Sequence, residues 1–320
     1  RALGMVGMVV ATGLITGPAL GGLILEHFSW RAIFYINIPI GIGVTVAALR
    51  ILHRSDEHRR PEPMDWRGAL LLIVVLSWLV GQFGGHIARL LPFEREAALV
   101  PASMLRNDAG PELQAYLDRL GARVASQMDL PEGMRMTLHF SGEDTFNAFA
   151  TLGGNILLYR GLVARLPHEN ALAMLLAHEM AHVLHRDPVV GLGRGVGIQL
   201  VAGLLLGNSS LEVLGSAGIY TQLHFSREME SAADEVALAA VQHVYGHVAG
   251  ADDLFEVLHE ARENSGAGEL PAIFSSHPLD GQRLQAIADA VRDHDWSDNG
   301  ETTPLPSGFA DWMRDAETRA

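Results

Sequence analysis

Three long stretches without a charged residue lie within the first 85 residues of this 320-residue chain. They run from Ala2 to Leu25, from Ala32 to Leu49 and from Gly68 to Gly85. An α-helix needs about 20 mostly apolar residues to cross the hydrocarbon core of a bilayer. Three such stretches so close together are difficult to bury within one soluble core. We therefore predict three transmembrane helices in residues 1–85, with the lipid bilayer as their partner.

Arginine residues are distributed unequally between the two loops that join these stretches. The first loop contains one, and the second contains five, which are Arg50, Arg54, Arg59, Arg60 and Arg67. Loops rich in Lys and Arg usually lie in the cytoplasm. We therefore predict that the third helix runs outward, and that the chain after His86 lies on the periplasmic or outer side of a bacterial inner membrane.

After His86 the composition resembles that of an ordinary acidic protein, and the formal net charge of the whole chain is -14. Binding to phosphate groups requires clustered cations, so we predict that the protein binds no nucleic acid. The chain has no Cys, which excludes disulfides, thiolate metal ligands and Cys nucleophiles. The acidic segment 293–320 contains many turn-forming residues, and we predict that it is mostly disordered.

Apolar periodicity predicts an α+β fold, mostly helical with a small β-sheet, for residues 86–292. Apolar residues recur at helical spacing from Pro111 to Met128. The segments Met134–Phe140 and Ile156–Tyr159 are typical of short strands. From Pro167 onward the pattern is almost entirely helical.

A predicted helix from Asn170 to His185 contains the sequence His178-Glu179-Met-Ala-His182. Side chains four residues apart share one helix face, so both imidazoles can bind one metal ion with Glu179 beside it. The flanking residues are apolar, which indicates a buried helix. A pair of hydrogen-bonded core histidines is the alternative, but a metal ion would provide a partner for all three buried polar side chains.

A second helical motif supplies acidic residues, and it reads Ser226-Arg-Glu-Met-Glu-Ser-Ala-Ala-Asp234. A catalytic zinc ion usually has three protein ligands, and two His with one Glu is a known set. Glu230 is the predicted third ligand, with Glu228 and Glu235 as rivals. Asp234 is predicted to accept a hydrogen bond from a ligand histidine, and Arg227 to support it. A solvated helix face is the alternative for this segment. Together the two motifs predict one Zn²⁺ ion per chain.

The two motifs together resemble metallopeptidase family forty-eight, the gluzincins related to CAAX prenyl protease and to the HtpX-like and Oma-like proteases. Two further segments are similar to this family. They are residues 147–162, which begin Asn147-Ala-Phe-Ala, and the segment Ser276-His277-Pro278 with Arg283 after it. The resemblance covers about residues 86–292. It implies a gluzincin metalloprotease domain that hydrolyses peptide bonds of polypeptide substrates, in quality control of misfolded or membrane-associated proteins.

Catalytic roles can be assigned to some of these residues. A zinc ion activates a water molecule and polarises the scissile carbonyl, and Glu179 is predicted to accept the proton of that water. His277, Arg283 and Tyr220 are candidates to stabilise the developing oxyanion. Two alternatives stay open for His277, which could be a fourth zinc ligand that closes the resting site or a structural residue.

An extended substrate is predicted to pair with a strand edge near Asn147–Ala150 and Gly153–Tyr159. Pairing through the main chain tolerates many substrate sequences. The predicted substrate-binding residues are Asn147, Ala148, Phe149, Gly153, Gly154 and Asn155. A simple turn is the alternative for the two glycines.

The N-terminal region has a resemblance of its own. The segments Gly13-Leu-Ile-Thr-Gly-Pro18 and Ser29-Trp-Arg31, followed by Asn37-Ile-Pro39, resemble drug:proton antiporters of the major facilitator superfamily over about residues 1–80. Such a transporter needs about a dozen spans built as repeated halves. We therefore predict that this region is a fused segment that reuses transporter helices as an anchor, with a join of two unrelated pieces as the alternative. A transporter fragment and a zinc-binding scaffold without catalysis are the alternative functions for the chain.

Overall fold

A computed structural model describes part of the chain. The described residues are 91–100, 105–193, 225–264, 271–277 and 281–320, with single positions between 68 and 90. The chain divides into two compact units, Arg1–Asp65 and Trp66–Ala320, and all the described residues belong to the second. The first two predicted transmembrane helices, and part of the third, lie outside the described residues.

The described positions between Gly68 and Ala88 are helical, and the large apolar side chains among them are exposed. These side chains are Leu71, Leu72, Val74, Val75, Trp78, Leu79 and Phe83. Within the part of the chain that the structure describes, no helix has both the length and the apolar character needed to cross a bilayer. The three transmembrane helices therefore stay a prediction.

The remaining described residues form short and medium helices around three strands. In chain order the elements are α1 (Phe93–Glu96), α2 (Pro111–Ala125), β1 (Thr137–Ser141), β2 (Ala148–Ala150), β3 (Asn155–Tyr159), α3 (Arg160–Val163), α4 (Glu169–His185), α5 (Arg227–Tyr245), α6 (Asp253–Asn264), α7 (Ile273–Ser276), α8 (Gly281–Asp293) and α9 (Phe309–Glu317). Short 3₁₀-helices lie at Ala97–Leu99 and Leu152–Gly154. This arrangement confirms the predicted α+β class.

The three strands form one sheet in the order β1-β3-β2. β1 runs parallel to β3, and β2 runs antiparallel to it. β3 is therefore the central strand and pairs on both sides. Among the described residues β2 pairs with β3 alone, so its other edge faces away from the sheet.

Helix α4 lies at the centre of the described core, and every residue from Glu169 to Val183 is buried. It begins where Nδ1 of His168 accepts a hydrogen bond from the backbone N–H of Ala171, which caps the helix. Helices α5, α2 and α6 and strand β2 contact it. A helix that is apolar on all sides is stable when it is covered on all sides. The sequence therefore places the His-Glu-x-x-His motif inside the core.

The C-terminal segment 293–320 folds against this core, so the prediction of a disordered tail is wrong. Helix α9 buries Phe309, Met313 and Ala316, which recur at helical spacing. Upstream of α9, the carbonyl of Thr303 accepts a hydrogen bond from the backbone N–H of Glu169 (2.8 Å). The acidic, Pro-containing composition hides these few apolar residues, because burial depends on their spacing and not on the average composition.

Candidate metal centre

Four potential ligands converge from three helical segments. Helix α4 carries His178 and His182 one turn apart, and α5 carries Glu230 in its first turn. The hydroxyl of Ser226 caps α5 by accepting a hydrogen bond from Met229 N (3.4 Å), which fixes where that turn begins. His277 follows the end of α7 directly. One nitrogen or oxygen from each of the four ligands lies within 4.8 Å of all the others, and all four side chains are buried.

The distances between these atoms fit a single small metal ion. Nε2 of His178 lies 3.1 Å from Nε2 of His182 and 3.3 Å from Nδ1 of His277. Oε1 of Glu230 lies 3.3 Å from His182 Nε2 and 3.0 Å from His277 Nδ1. Metal bonds of about 2.0–2.1 Å in a tetrahedron separate the ligand atoms by about 3.3 Å. Imidazole nitrogens with one carboxylate are also a typical zinc donor set, so the residues present fit the ion.

The electrostatics of the cluster favour a bound cation. Burial alone would lower the pKa of His182, but hydrogen bonds with Asp187 and Glu230 and the charges of Glu230 and Glu179 raise it to about 9. Burial alone would raise the pKa of Glu230, but His277, His182 and His178 hold it well below its usual range. The pKa of His178 is lowered, mainly by burial. A buried group of carboxylates needs compensating positive charge, which a metal ion can supply.

A carboxylate orients each of the two clustered histidines of α4. Oδ1 of Asp234 lies 2.9 Å from His178 Nδ1, and Oδ2 of Asp187 lies 2.9 Å from His182 Nδ1. These contacts direct both Nε2 atoms toward the cluster, as in the carboxylate–histidine–metal arrangements of metalloproteins. Asp187 is buried, and the sequence analysis did not identify it. The only signal for it was an acidic residue placed just after the helix that carries the motif.

The guanidinium of Arg283 supports the cluster from α8. Its Nε and Nη2 donate to the two oxygens of Asp234, at 2.5 and 2.8 Å, and its Nη1 lies 2.5 Å from Glu230 Oε2. Burial would raise the pKa of Asp234, but Arg283 and His178 hold it below its usual value. Arg227 is exposed at the start of α5, and its supporting role stays a prediction.

Glu179 is buried beside the cluster, with only 1% of its surface exposed. Nε2 of His277 lies 3.6 Å from its Oε1, and neither oxygen has a hydrogen-bond partner among the residues that the structure describes. A buried carboxylate without partners is costly. The position of Glu179 therefore suits a group that binds a water molecule or a proton in the working site.

An aromatic side chain that the sequence analysis did not identify covers the cluster. The ring of Phe225 stacks on the ring of His182, with centroids 4.1 Å apart and planes inclined by 17°. The same ring lies 5.4 Å from the ring of His277. Its backbone N–H donates to the carbonyl of Ser276 (3.3 Å), which ties it to the end of α7. Tyr220, a predicted oxyanion candidate, lies outside the described residues.

The predicted substrate-binding residues separate into two groups. Asn147 directly precedes β2, and Ala148 and Phe149 lie within this strand, whose outer edge pairs with no other strand among the described residues. Strand β2 also packs against α4 and α7, the helices that carry or precede three of the clustered residues. The role of these three residues in substrate binding stays a prediction.

Gly153, Gly154 and Asn155 do not belong to a free edge, so the prediction that a substrate pairs with β3 is wrong. The two glycines have positive φ values of 67° and 76° and form a tight turn, in agreement with the alternative. A Cβ on Gly154 would lie 1.9 Å from the carbonyl oxygen of Arg135, so only glycine fits there. The side chain of Asn155 binds within the fold, to Leu152 O and to His139, each at 2.9 Å.

Comparisons with known proteins agree with this site. The sequence matches Peptidase family M48 over residues 111–291. It is 28% identical over 209 residues to the "Putative beta-barrel assembly-enhancing protease" of Vibrio cholerae. The aligned region covers 60% of this chain and 42% of that protein. The matched region contains the whole cluster, together with Glu179 and Arg283.

The N-terminal region matches different proteins. Residues 1–108 match the Major Facilitator Superfamily. The tetracenomycin C resistance and export protein of Streptomyces glaucescens is 38% identical over 79 residues, which are 25% of this chain and 15% of that protein. The riboflavin transporter of Clostridioides difficile is 42% identical over 71 residues, 22% of this chain and 16% of that protein.

The chain thus spans less than half the length of each of these relatives. The predicted resemblances of both regions are confirmed. Because the M48 match covers more than half of the chain and includes all four residues of the candidate metal-binding cluster, the chain belongs to Peptidase family M48, a family of metallopeptidases.

Proposed function

We propose that this chain is a zinc-dependent endopeptidase that hydrolyses peptide bonds of polypeptide substrates. One observation carries the proposal. Two histidines of α4 and the Glu230 carboxylate of α5 meet in a buried cluster, and beside them lies the carboxylate of Glu179, which has no hydrogen-bond partner in the part of the chain that the structure describes. This combination of a metal donor set and an adjacent free carboxylate is what water attack on an amide requires.

The proposed roles follow from the contacts of each side chain. His178, His182 and Glu230 would hold the zinc ion, which supplies a Lewis acid for the water and the scissile carbonyl. Glu179 accepts the proton of the attacking water and passes it to the leaving amine nitrogen. Asp234 and Arg283 keep His178 and Glu230 in place, since Arg283 contacts both acidic residues.

His277 is proposed as a fourth ligand that closes the resting site. Its Nδ1 lies as close to Glu230 and His178 as the other donors lie to each other. A catalytic zinc ion keeps one position open for water or substrate, and four protein donors leave no such position. His277 must therefore move away before a substrate can be cleaved.

The outer edge of β2 is the proposed substrate-binding edge. A peptide that pairs there would make main-chain hydrogen bonds next to Asn147, Ala148 and Phe149. Because β2 packs against α4, this edge would deliver the scissile carbonyl to the metal centre. Such pairing reads no side-chain sequence, which suits a protease that acts on unfolded chains.

We also propose that the peptidase is tethered to a membrane through its N-terminal helices, on the periplasmic or outer side. The match of residues 1–108 to a family of membrane transporters supports the tether, as do the exposed apolar side chains between Leu71 and Phe83. The named role of the Vibrio relative supports quality control of misfolded or membrane-associated proteins as the task.

The central test compares metal content and cleavage of casein by the full chain. We expect one zinc ion per chain and cleavage that a chelator abolishes. Glu179→Gln should retain the zinc ion and lose activity by a factor of about 10²–10⁴, the usual contribution of a general base. Glu235→Gln is the matched control, because Glu235 is an exposed acid of α5, and it should cleave at the wild-type rate.

Two results would contradict the proposal. One is a chain without zinc whose cleavage is insensitive to chelator. The other is a Glu179→Gln variant as active as wild type. A chain that binds zinc but cleaves nothing would favour the zinc-binding scaffold.

A further inference from the structure

Helix α4 ends at an unusual backbone conformation. Arg186 follows the last helical residue with φ 60° and ψ 33°, in the left-handed region. A residue with a Cβ adopts this conformation only against a steric cost, and glycine is the usual choice at this position. Among the described residues, Asp295 is the other non-glycine residue with positive φ. Something in the surrounding structure must therefore hold Arg186 in place.

The side chain of Arg186 holds a segment that comes from far away in the sequence. Its Nη1 and Nη2 donate to the carbonyls of Arg89 and Leu91, at 3.0 and 2.6 Å. Its Nε donates to Oε1 of Glu96 at 3.0 Å. We call residues 89–96 the docking segment, because three of its acceptors meet one guanidinium. A planar fork with five donors is suited to such multiple contacts.

Both carboxylate oxygens of Glu96 accept hydrogen bonds, so its contact with Arg186 is part of a larger junction. Its side chain is buried, and its Oε2 accepts a hydrogen bond from the backbone N–H of Gly153 at 3.1 Å. Gly153 belongs to the turn between β2 and β3. The docking segment is therefore fixed against the end of α4 and against the sheet at the same time.

The residue after Arg186 reaches the metal centre. Asp187 is buried, and its Oδ2 lies 2.9 Å from Nδ1 of the proposed ligand His182. Because Asp187 is bonded directly to Arg186, the left-handed turn decides where the Asp187 carboxylate points. Contacts thus run without a gap from the docking segment through Arg186 and Asp187 to His182.

We propose that Arg186 is a positioning residue that couples docking of residues 89–96 to the metal affinity of the site. When the docking segment is in place, its acceptors hold Arg186 in the left-handed conformation, and Asp187 is held against His182. When the segment leaves, the turn relaxes and His182 loses its carboxylate partner. The inference rests on the proposed zinc site.

Coupling of this kind is reciprocal, which makes it measurable from both sides. If docking raises zinc affinity by some factor, zinc must favour docking by the same factor. The docking segment follows the apolar helical positions 71–83 that we propose to lie in the membrane. The site would therefore hold its metal ion most tightly when the segment that joins it to the anchor is seated.

Arg186→Gly and Arg186→Ala separate the guanidinium contacts from the backbone conformation at this position. Glycine adopts the left-handed conformation without steric cost, so the helix end itself is retained or improved. The variant removes only the guanidinium. Arg186→Ala also removes the guanidinium but keeps the steric cost of a Cβ, so its turn should relax and His182 should lose its carboxylate partner.

The experiment uses the full chain, with zinc affinity measured by competition with a chromophoric chelator. We expect Arg186→Gly to bind zinc as wild type does, because its turn keeps the left-handed conformation, and Arg186→Ala to bind zinc about tenfold more weakly, since loss of outer partners of a metal ligand typically costs about 10–100-fold. Glu96→Gln should weaken binding similarly, and the double variant should be little worse than either, because both changes break one junction. Asp295→Gly is the matched control, and its zinc affinity should equal that of wild type.

Hydrogen exchange of residues 89–96 provides the second readout. In wild type, zinc should slow exchange in this segment by about the same tenfold factor. In Arg186→Gly, zinc should leave it unchanged. Wild-type zinc affinity and wild-type protection in both Arg186→Ala and Glu96→Gln would overturn the coupling and leave the zinc site standing. A wild-type chain that binds no zinc would contradict the proposed function and the coupling with it.

Discussion

The carboxylates of Glu179 and Glu230 lie in one buried site but in different surroundings. Glu230 contacts the rings of His182 and His277 and the guanidinium of Arg283, so its charge is compensated. Glu179 has no hydrogen-bond partner among the described residues. Carboxylates in unlike environments take unlike chemical roles. The compensated one suits a metal ligand, and the uncompensated one suits proton transfer.

His277→Ala distinguishes the two active roles considered for His277. If His277 is the fourth ligand of the resting site, the variant should release zinc faster. At saturating zinc it should cleave casein faster than wild type, because one metal position stays open. If His277 instead stabilised the oxyanion, cleavage at saturating zinc would fall by about 10²–10³-fold. Zinc release to a chelator and initial cleavage rates, measured on the same preparation, decide between them.

At the scale of secondary structure, local patterns predict some features and not others. Helices α2 and α4 were predictable, because apolar residues at helical spacing mark a buried face. Strand order depends on contacts between distant segments, so no local pattern reveals that β3 is central. The contact of Asp187 with His182 was equally hidden, because it depends on the left-handed turn at Arg186.

Helix α7 adjoins two parts of the proposed site. It contacts β2, the strand whose free edge is proposed to bind the substrate, and it ends directly before His277. The strand and the ring of His277 are both buried. We therefore expect that α7 moves when a peptide binds at the β2 edge and the metal centre, so that one small element opens both.

Substrate binding should therefore loosen α7. Glu179→Gln is suited to the measurement, because it should bind an unfolded polypeptide without cleaving it. We expect hydrogen exchange in residues 271–277 to become faster when this variant is saturated with casein. Exchange in α2, which is remote from this movement, should stay the same and serves as the internal control. Unchanged or slower exchange in residues 271–277 would mean that substrate enters without displacing α7.

On the scale of the whole described unit, both ends of α4 are held by segments distant in sequence. The docking segment binds its C-terminal end through Arg186. The C-terminal part of the chain binds its N-terminal end, where Thr303 exchanges hydrogen bonds with Glu169 and with the side chain of Asn170. The helix that carries both histidines is thus fixed in position from both sides, which favours a preorganised metal site.

The contribution of the C-terminal segment to stability can be tested through Phe309. This residue is buried and packs edge-on against Tyr116, with ring centroids 6.0 Å apart. Phe309→Ala should lower the free energy of unfolding by about 3 kcal/mol, the lower end of the usual cost for a buried Phe. Asp311→Ala, at an exposed position of α9, should change it by less than about 0.5 kcal/mol. Urea unfolding of both variants provides the comparison. The ring of Phe309 packs against Tyr116 of α2 and Trp312 of α9, so Phe309→Ala should still bind one zinc ion. Equal unfolding midpoints for the two variants would mean that the C-terminal segment contributes nothing to the fold.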